Sequence, residues 1–305
     1  MNTYLLVKIA RLYYEEGYTQ QEIAKKLSIS RPQISKLLKK AKDRGIVKID
    51  IVYEKEDFSA LEIALSKKFN LHEAMIVPSY SDIKDALALA AGEYLKRILR
   101  DNITISLSWG STLRRLVDML EVKKKYKVDV IPIMGGMGNR GSKITSSEIA
   151  RTLSEKIGGT HYVIHAPVIV KDISTKKALL AEDVINEIFK KAKNSNFSFV
   201  GIGKITDTST MIQEGYLKRA DFQELKDKGV VGDICTTFFD IEGNVIDTEL
   251  NKRIIGLDVR DLKNSTIIGV GGGREKREAI LGALRGRFIN VLITDKETGT
   301  YLLNK

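Results

Sequence analysis

The chain has 305 residues, 43% of them hydrophobic and 29% charged, which is long enough for two domains with a sizeable core and ordinary for a folded protein. Its net charge is +11, and residues 1–53, with 11 Lys and Arg against 5 Asp and Glu, hold +6 of it. One cysteine, Cys235, excludes an intramolecular disulfide and makes a reducing cytoplasm the expected compartment; three scattered histidines, His72, His161 and His165, speak against a metal or histidine-based catalytic cluster, so neither metal nor cofactor is expected.

The opening MNTYLLVKIARLYYEEG is broken by Lys8, Arg11, Glu15 and Glu16. It reads as a helix packing through Leu5, Ile9, Leu12 and Tyr13, not as a signal peptide, and no later run is apolar for long enough to cross a membrane. Thr19 and Glu22 have capping-box spacing, so a second helix is predicted there with Ile23, Ala24 and Leu27 inward. After the turn Ser28-Ile29-Ser30, Ser30 and Gln33 repeat the capping pattern and Pro32 falls in a first turn, where its missing N–H costs nothing. A third helix should therefore begin near Arg31, bury Ile34, Leu37, Leu38 and Ala41, and end at Gly45.

Two helices joined by a short turn, with a basic outer face, are a helix-turn-helix, whose second helix enters the DNA major groove. Arg31, Gln33 and Lys36 are the candidates for base edges, because Arg can hold guanine and Gln adenine through paired hydrogen bonds. Lys39 and Lys40 lie where phosphate is expected, and Thr19, Gln20, Ser30 and Ser35 complete the DNA-contacting set. Concentrated positive charge predicts binding to double-stranded DNA that weakens with salt.

Ile46–Tyr53 reads as a short strand or hairpin arm closing the first domain, residues 1–53, and the charged run Glu54–Phe58 as a linker. From Ser59 to the end, helical and strand patterns alternate: SALEIALSKKFN, EAMIVP, DIKDALALAAGEYLKRILR, ITISLSW, Thr112 to about Lys123, DVIPIM, Ser146 to about Lys156, HYVIHA, FSFVGIG, RADFQELKDKG, the pair ICTTFFD and GNVID, STIIGVGG, REKREAILGALRG and NVLITD. That alternation predicts an α/β domain, residues 59–305, with a parallel sheet covered on both faces.

Ligands of such sheets sit at the carboxyl ends of strands. Three loops there are rich in glycine: Trp109-Gly110-Ser111-Thr112, Gly135-Gly136-Met137-Gly138, and Gly271-Gly272-Gly273 with Lys276 beyond. Glycine lets amides approach an anion, while helix N-termini, hydroxyls and an ammonium complete a phosphate cradle. Neither G-x-x-x-x-G-K-[ST] nor a dinucleotide fingerprint is present, so a nucleotide is not favoured. Trp109 reads as a packing residue.

These blocks carry a resemblance. YTQQEIAKKLSISRPQISKLLKKAKDRGIVKI, SWGSTL, PIMGG, FVGIG, VGDICTTFFDIEGNVI and IIGVGGGREKREAILGALRGRFINVLITDKETG resemble, over nearly the whole chain, the SorC type of sugar-responsive bacterial transcription regulators, sometimes grouped with the deoxyribonucleoside regulator. The resemblance implies an N-terminal helix-turn-helix domain, an effector domain related to sugar-phosphate isomerases, a phosphorylated sugar or polyol as effector, and a homotetramer. It places the phosphate on Gly110, Ser111 and Thr112 and on Gly271, Gly272, Gly273 and Lys276, with Met134, Gly135, Gly136 and Asp233 about the sugar. Met134 neither ionises nor donates a hydrogen bond, which speaks against a charged effector group beside it. The expected function is a DNA-binding regulator, a repressor rather than an enzyme. The alternative is a sugar-phosphate isomerase or deaminase with an appended DNA-binding domain, for which Asp233 and Glu148 are the nominated acids.

Overall fold

The computed structural model describes residues 3–48, 57–79, 82–136, 144–206, 217 and 219–305, and the chain divides into two units, Met1–Glu56 and Asp57–Lys305. In the first unit, α1 (Thr3–Tyr14), α2 (Gln20–Leu27) and α3 (Arg31–Asp43) close around Leu6, Ile9, Ala10, Ile23, Ile34, Leu37, Leu38 and Ala41. The helical spacing of these side chains is the reason: each helix has one apolar stripe, and three stripes make a core. The predicted strand Ile46–Tyr53 is not found over Ile46–Lys48, and residues 49–53 lie outside the described residues, as do residues 54–56 of the predicted linker. Asp57 accepts hydrogen bonds from the amide and hydroxyl of Ser59 at 2.9 and 3.0 Å, so the last part of that stretch starts a helix.

The second unit runs α4 (Ser59–Phe69), β1 (Glu73–Val77), α5 (Ile83–Ile98), β2 (Ile103–Leu107), α6 (Ser111–Met119), β3 (Val128–Pro132), α7 (Ser146–Ile157), β4 (Thr160–His161), α8 (Ile173–Ala181), α9 (Asp183–Lys193) and β5 (Phe197–Gly201). It continues with β6 (Gly203–Lys204), α10 (Arg219–Asp227), β7 (Gly232–Ile234), β8 (Thr237–Phe239), β9 (Thr266–Val270), α11 (Arg277–Arg285), β10 (Val291–Asp295) and α12 (Lys296–Leu303). Among the described residues one sheet is parallel throughout, in the order β1-β10-β9-β5-β2-β3-β4, and a small antiparallel sheet runs β6-β7-β8. Side chains of α5, α6 and α7 pack on one face of the large sheet, and those of α4, α9, α11 and α12 on the other. Burial on both faces explains why β10 and β9 carry consecutive apolar residues, Val291–Ile293 and Ile267–Val270, instead of alternating with polar ones.

Several elements differ from the sequence pattern. HYVIHA pairs with β3 only through Thr160 and His161, and ICTTFFD splits into the two arms of a hairpin. No element was predicted for Lys171–Asn196 or after Asp295, where α8, α9 and α12 form. In α9, Ile185, Ile188, Phe189 and Ala192 carry a readable helical period, whereas α8 buries no residue and α12 only Thr298, Gly299 and Leu302.

The strand order positions the site. From β2 the chain proceeds to β3 and β4 on one side, then returns to β5 on the other and continues outward through β9 and β10. The connections leaving β2 and β5 thus head toward opposite edges of the sheet, which makes this the topological switch point, where ligands of such sheets bind.

Candidate functional sites

In the first unit, Thr19 and Glu22 form the capping box their spacing predicts. The Thr19 amide donates to Glu22 Oε2 at 2.8 Å, and the Glu22 amide donates to Thr19 Oγ1 at 3.3 Å. These bonds from the Thr19 amide and hydroxyl hold the Glu22 carboxyl below its ordinary range. Ser28, at φ 56°, ends α2 in the left-handed region, and the turn leads to Ser30. Ser30 makes no side-chain cap bond, against expectation; its carbonyl instead accepts the amides of Gln33 at 2.9 Å and Ile34 at 3.0 Å. Helix α3 therefore begins with no side-chain cap and no acidic residue in its first turn, an electropositive end. Arg31, Gln33, Ser35, Lys36 and Lys39 are exposed along it, Lys40 is half-buried, and Gln20 is half-buried on α2. Thr19 is exposed, but its hydroxyl also donates to Glu22 at 2.7 Å.

In the second unit, the carboxyl ends of the neighbouring strands β2, β5 and β9 are stitched together. The Ser108 amide donates to Phe199 O at 3.0 Å, the Gly201 amide to Ser108 Oγ at 3.1 Å, and the Ile202 amide to Val270 O at 3.2 Å. Gly110, at φ 124° and ψ 159°, turns the chain into α6, whose first turn of Ser111, Thr112 and Leu113 has no side-chain cap. Trp109 is 8% exposed and packs in the core as predicted. Across β5, Lys276 donates to Ile202 O at 2.8 Å. Burial lowers its ammonium to about 8, reinforced by Lys84 and Lys204 and opposed by Asp233.

Asp233 is 6% exposed, and burial raises its carboxyl to about 6 against the opposing Thr236 amide and Lys276. Two local features aim it. Gly203 is its cross-strand partner, and a methyl group there would collide with Asp233 Oδ1. Beyond it, Cys235 and Thr236, at φ 52° and 64°, make a two-residue turn between β7 and β8, and the Thr236 amide donates to Asp233 Oδ2 at 3.2 Å. Such turns favour Asn-Gly, and a β-branched residue held there costs about 1–2 kcal/mol, strain of the kind that gathers at functional sites.

The predicted cradle is brought together in part. The loops of Gly110–Thr112 and Gly271–Lys276 flank the end of β5, with Asp233 beside them. Many glycine amides are nevertheless committed within the protein: Gly110 to Ile144 O at 3.2 Å, Gly135 to Ile255 O and Gly136 to Ala166 O at 3.0 Å each, Gly271 to Ile293 O at 3.1 Å, and Gly273 to Asp295 Oδ2 at 2.6 Å. Packing explains the glycine pair: a Cβ on Gly135 would lie 2.6 Å from Ala166 O, and one on Gly136 would lie 2.9 Å from Thr145 Cβ. Met134 is 0% exposed, within the core and bridged to Gly256, instead of facing an open pocket; Met137 and Gly138 lie outside the described residues.

Two cations escaped the sequence reading. Lys84, exposed in the first turn of α5, and Lys204, on β6 and ion-paired with Glu275, both act electrostatically on Lys276. The signal for Lys204 was its place immediately after the FVGIG block; Lys84 had none. Glu148, in the first turn of α7, accepts hydrogen bonds from Arg151 at 2.9 and 3.3 Å.

Residues 53–304 match the family described as "Putative sugar-binding domain", and residues 8–44 match sigma-70 region 4. The chain is 33% identical to the deoxyribonucleoside regulator of Bacillus subtilis (strain 168), over 98% of this chain and 97% of that one. It is 31% identical to the sorbitol operon regulator of Klebsiella pneumoniae, over 98% and 97%. The crystal structure of that full-length regulator, SorC, matches with a TM-score of 0.76 over 98% of both chains.

Proposed function

The chain belongs to the SorC-type transcriptional regulators with a sugar-binding domain, and from that premise we propose that it is a repressor whose hold on operator DNA is set by a phosphorylated sugar or polyol. The observation that carries the ligand class is the convergence, at the switch point, of the uncapped first turn of α6 with Lys276, Lys204 and Lys84. Ser111 and Thr112 present amides and hydroxyls to a phosphate, and Lys276 supplies charge. Asp233 takes the sugar hydroxyls, with Gly271, Gly272 and Gly273 setting how closely the ligand approaches. Met134, Gly135 and Gly136 shape the wall behind it. Arg31, Gln33 and Lys36 read bases, while Ser30, Ser35, Lys39, Lys40, Thr19 and Gln20 meet the backbone. The protein acts in the cytoplasm as a homotetramer; no helix among the described residues is long and apolar enough to cross a membrane.

The relatives are named for deoxyribonucleosides and sorbitol, so deoxyribose 5-phosphate and sorbitol 6-phosphate head a thermal-shift panel of sugar phosphates. A ligand specific for the folded state raises the melting temperature by mass action. Lys276→Ala is expected to abolish the response of operator binding to that ligand while leaving operator affinity unchanged. A normal response by this variant would place the phosphate elsewhere.

One observation favours a second reading. Asp233 and Lys276 lie close enough to act electrostatically on one another, an acid and a base of the sort that isomerases and deaminases use. No turnover of fructose, glucosamine or ribose phosphates is expected in a coupled assay; measurable turnover abolished by Asp233→Asn would establish the enzyme.

A further inference from the structure

Asp295, the last residue of β10, is 1% exposed and divides its carboxylate between two tasks. Oδ1 accepts the Thr298 amide at 3.0 Å, capping α12, and the Ser79 hydroxyl at 3.1 Å. Oδ2 accepts the Gly273 amide at 2.6 Å, and a Cβ on Gly272 would lie 2.6 Å from that same oxygen. One buried group therefore holds both the glycine loop and the start of α12.

Helix α12 is in turn keyed to α4 along its length. Lys296 lies over the Phe58 ring at 5.8 Å, the bare Cα of Gly299 admits Leu61 and Leu65, whose methyls would lie 3.2 and 3.3 Å from a Cβ, and Lys68 donates to Leu303 O at 2.8 Å. Because residue numbers rise together in these contacts, the two helices run parallel and are joined at three levels. Glu62 of α4 also accepts the amide of Ile76 at 2.8 Å, and β1 pairs with β10 in the register Val77 to Asp295. The chain connection to the first unit leaves from the amino end of α4.

We infer that Asp295 is the positioning residue that passes occupancy of the Gly271–Lys276 loop to α12 and α4, and so to the segment leading to the DNA-binding unit. This rests on the proposed placement of the effector's phosphate between the first turn of α6 and that loop, which carries Lys276. A phosphate there competes with Asp295 for the Gly273 amide and repels its carboxylate. A buried oxygen stripped of its donor is costly, so the carboxylate moves, carrying the first turn of α12 with it. The ligand thereby acquires different affinities for two arrangements of α12 and α4, which coupling between sites requires.

Asp295→Asn in the full chain separates the two tasks. Asparagine keeps the volume and is a good N-cap, but has one acceptor oxygen, so facing Thr298 it turns an NH2 toward the Gly273 amide. The expected result is retained binding of operator and of whichever of deoxyribose 5-phosphate or sorbitol 6-phosphate stabilises the wild type, with the ligand's effect on operator affinity reduced to within about twofold of none. Gly299→Val, which wedges α12 from α4, should do the same. A wild-type response by both variants overturns the inference, as does loss of ligand binding by Asp295→Asn, which would make Asp295 part of the site alone. Hydrogen exchange without ligand separates this from failure of the ligand assignment. Asp295→Asn should speed exchange both in residues 271–276 and in α4, and a change confined to 271–276 overturns the coupling whichever ligand binds.

Discussion

Asp233 shows how a single position couples burial, backbone strain and charge. Its carboxyl rises from 3.8 to about 6, so between those values the folded state holds a proton that the unfolded chain releases. Its contribution to stability is thus full at low pH and is lost as pH rises through about 6. Lys276 behaves oppositely: lowered from 10.5 to about 8, it contributes nothing until pH rises above about 8, and more as 10.5 is approached. Asp233→Asn should therefore flatten the pH dependence of the urea midpoint between about 4 and 6; an unchanged slope would mean that the carboxyl is not desolvated. Gly203→Ala should push Asp233 from its place and weaken sugar-phosphate affinity while leaving operator affinity intact, as titration calorimetry and operator binding would report. Ser111, Thr112, Lys276 and Asp233 were legible as candidates, the last through the resemblance. The partners that occupy Gly135, Gly136 and Gly273 were not, because a glycine's sequence position says where a chain can bend, not which carbonyl or carboxylate its amide will meet.

At the scale of elements, the Thr19 to Glu22 box and the apolar spacing of α3 were readable, because a helix's hydrogen bonds and faces are set within a few residues. The Ser30 cap was not: the same spacing permits a side-chain bond or the carbonyl turn that forms instead. Arg31→Ala is expected to cost about 1–3 kcal/mol of specific operator binding and to relax preference at one base pair, whereas Lys39→Ala should weaken all sequences alike and lower the salt slope by about 1. Binding selections on randomised operators, repeated at several salt concentrations, distinguish the two, and identical behaviour of both variants would put Arg31 on phosphate. The hairpin β7 and β8 was hidden for a different reason. Cys235-Thr236 carries none of the glycine or asparagine that marks such a turn, and tertiary packing holds it at positive φ despite its propensity.

For the whole molecule, the two units have separate cores, so the Arg31→Ala variant should keep wild-type affinity for the sugar phosphate; loss of both functions together would argue against separable domains. The sequence by itself determined the division of labour: a basic helix-turn-helix ahead of an alternating α/β chain, with glycine-rich loops after its strands. These are properties of composition and of local period, which depend on near neighbours. Only the tertiary structure decided that β5 returns beside β2, and this is what sets Gly110–Thr112 and Lys276 about one switch point with Lys84 and Lys204 near. It also decided that Asp295 joins the glycine loop to α12, a bond between Gly273 and a carboxylate 22 residues away. Strand order and long-range hydrogen bonds are settled by how apolar faces are shared among elements far apart in the chain, and no local pattern carries that information.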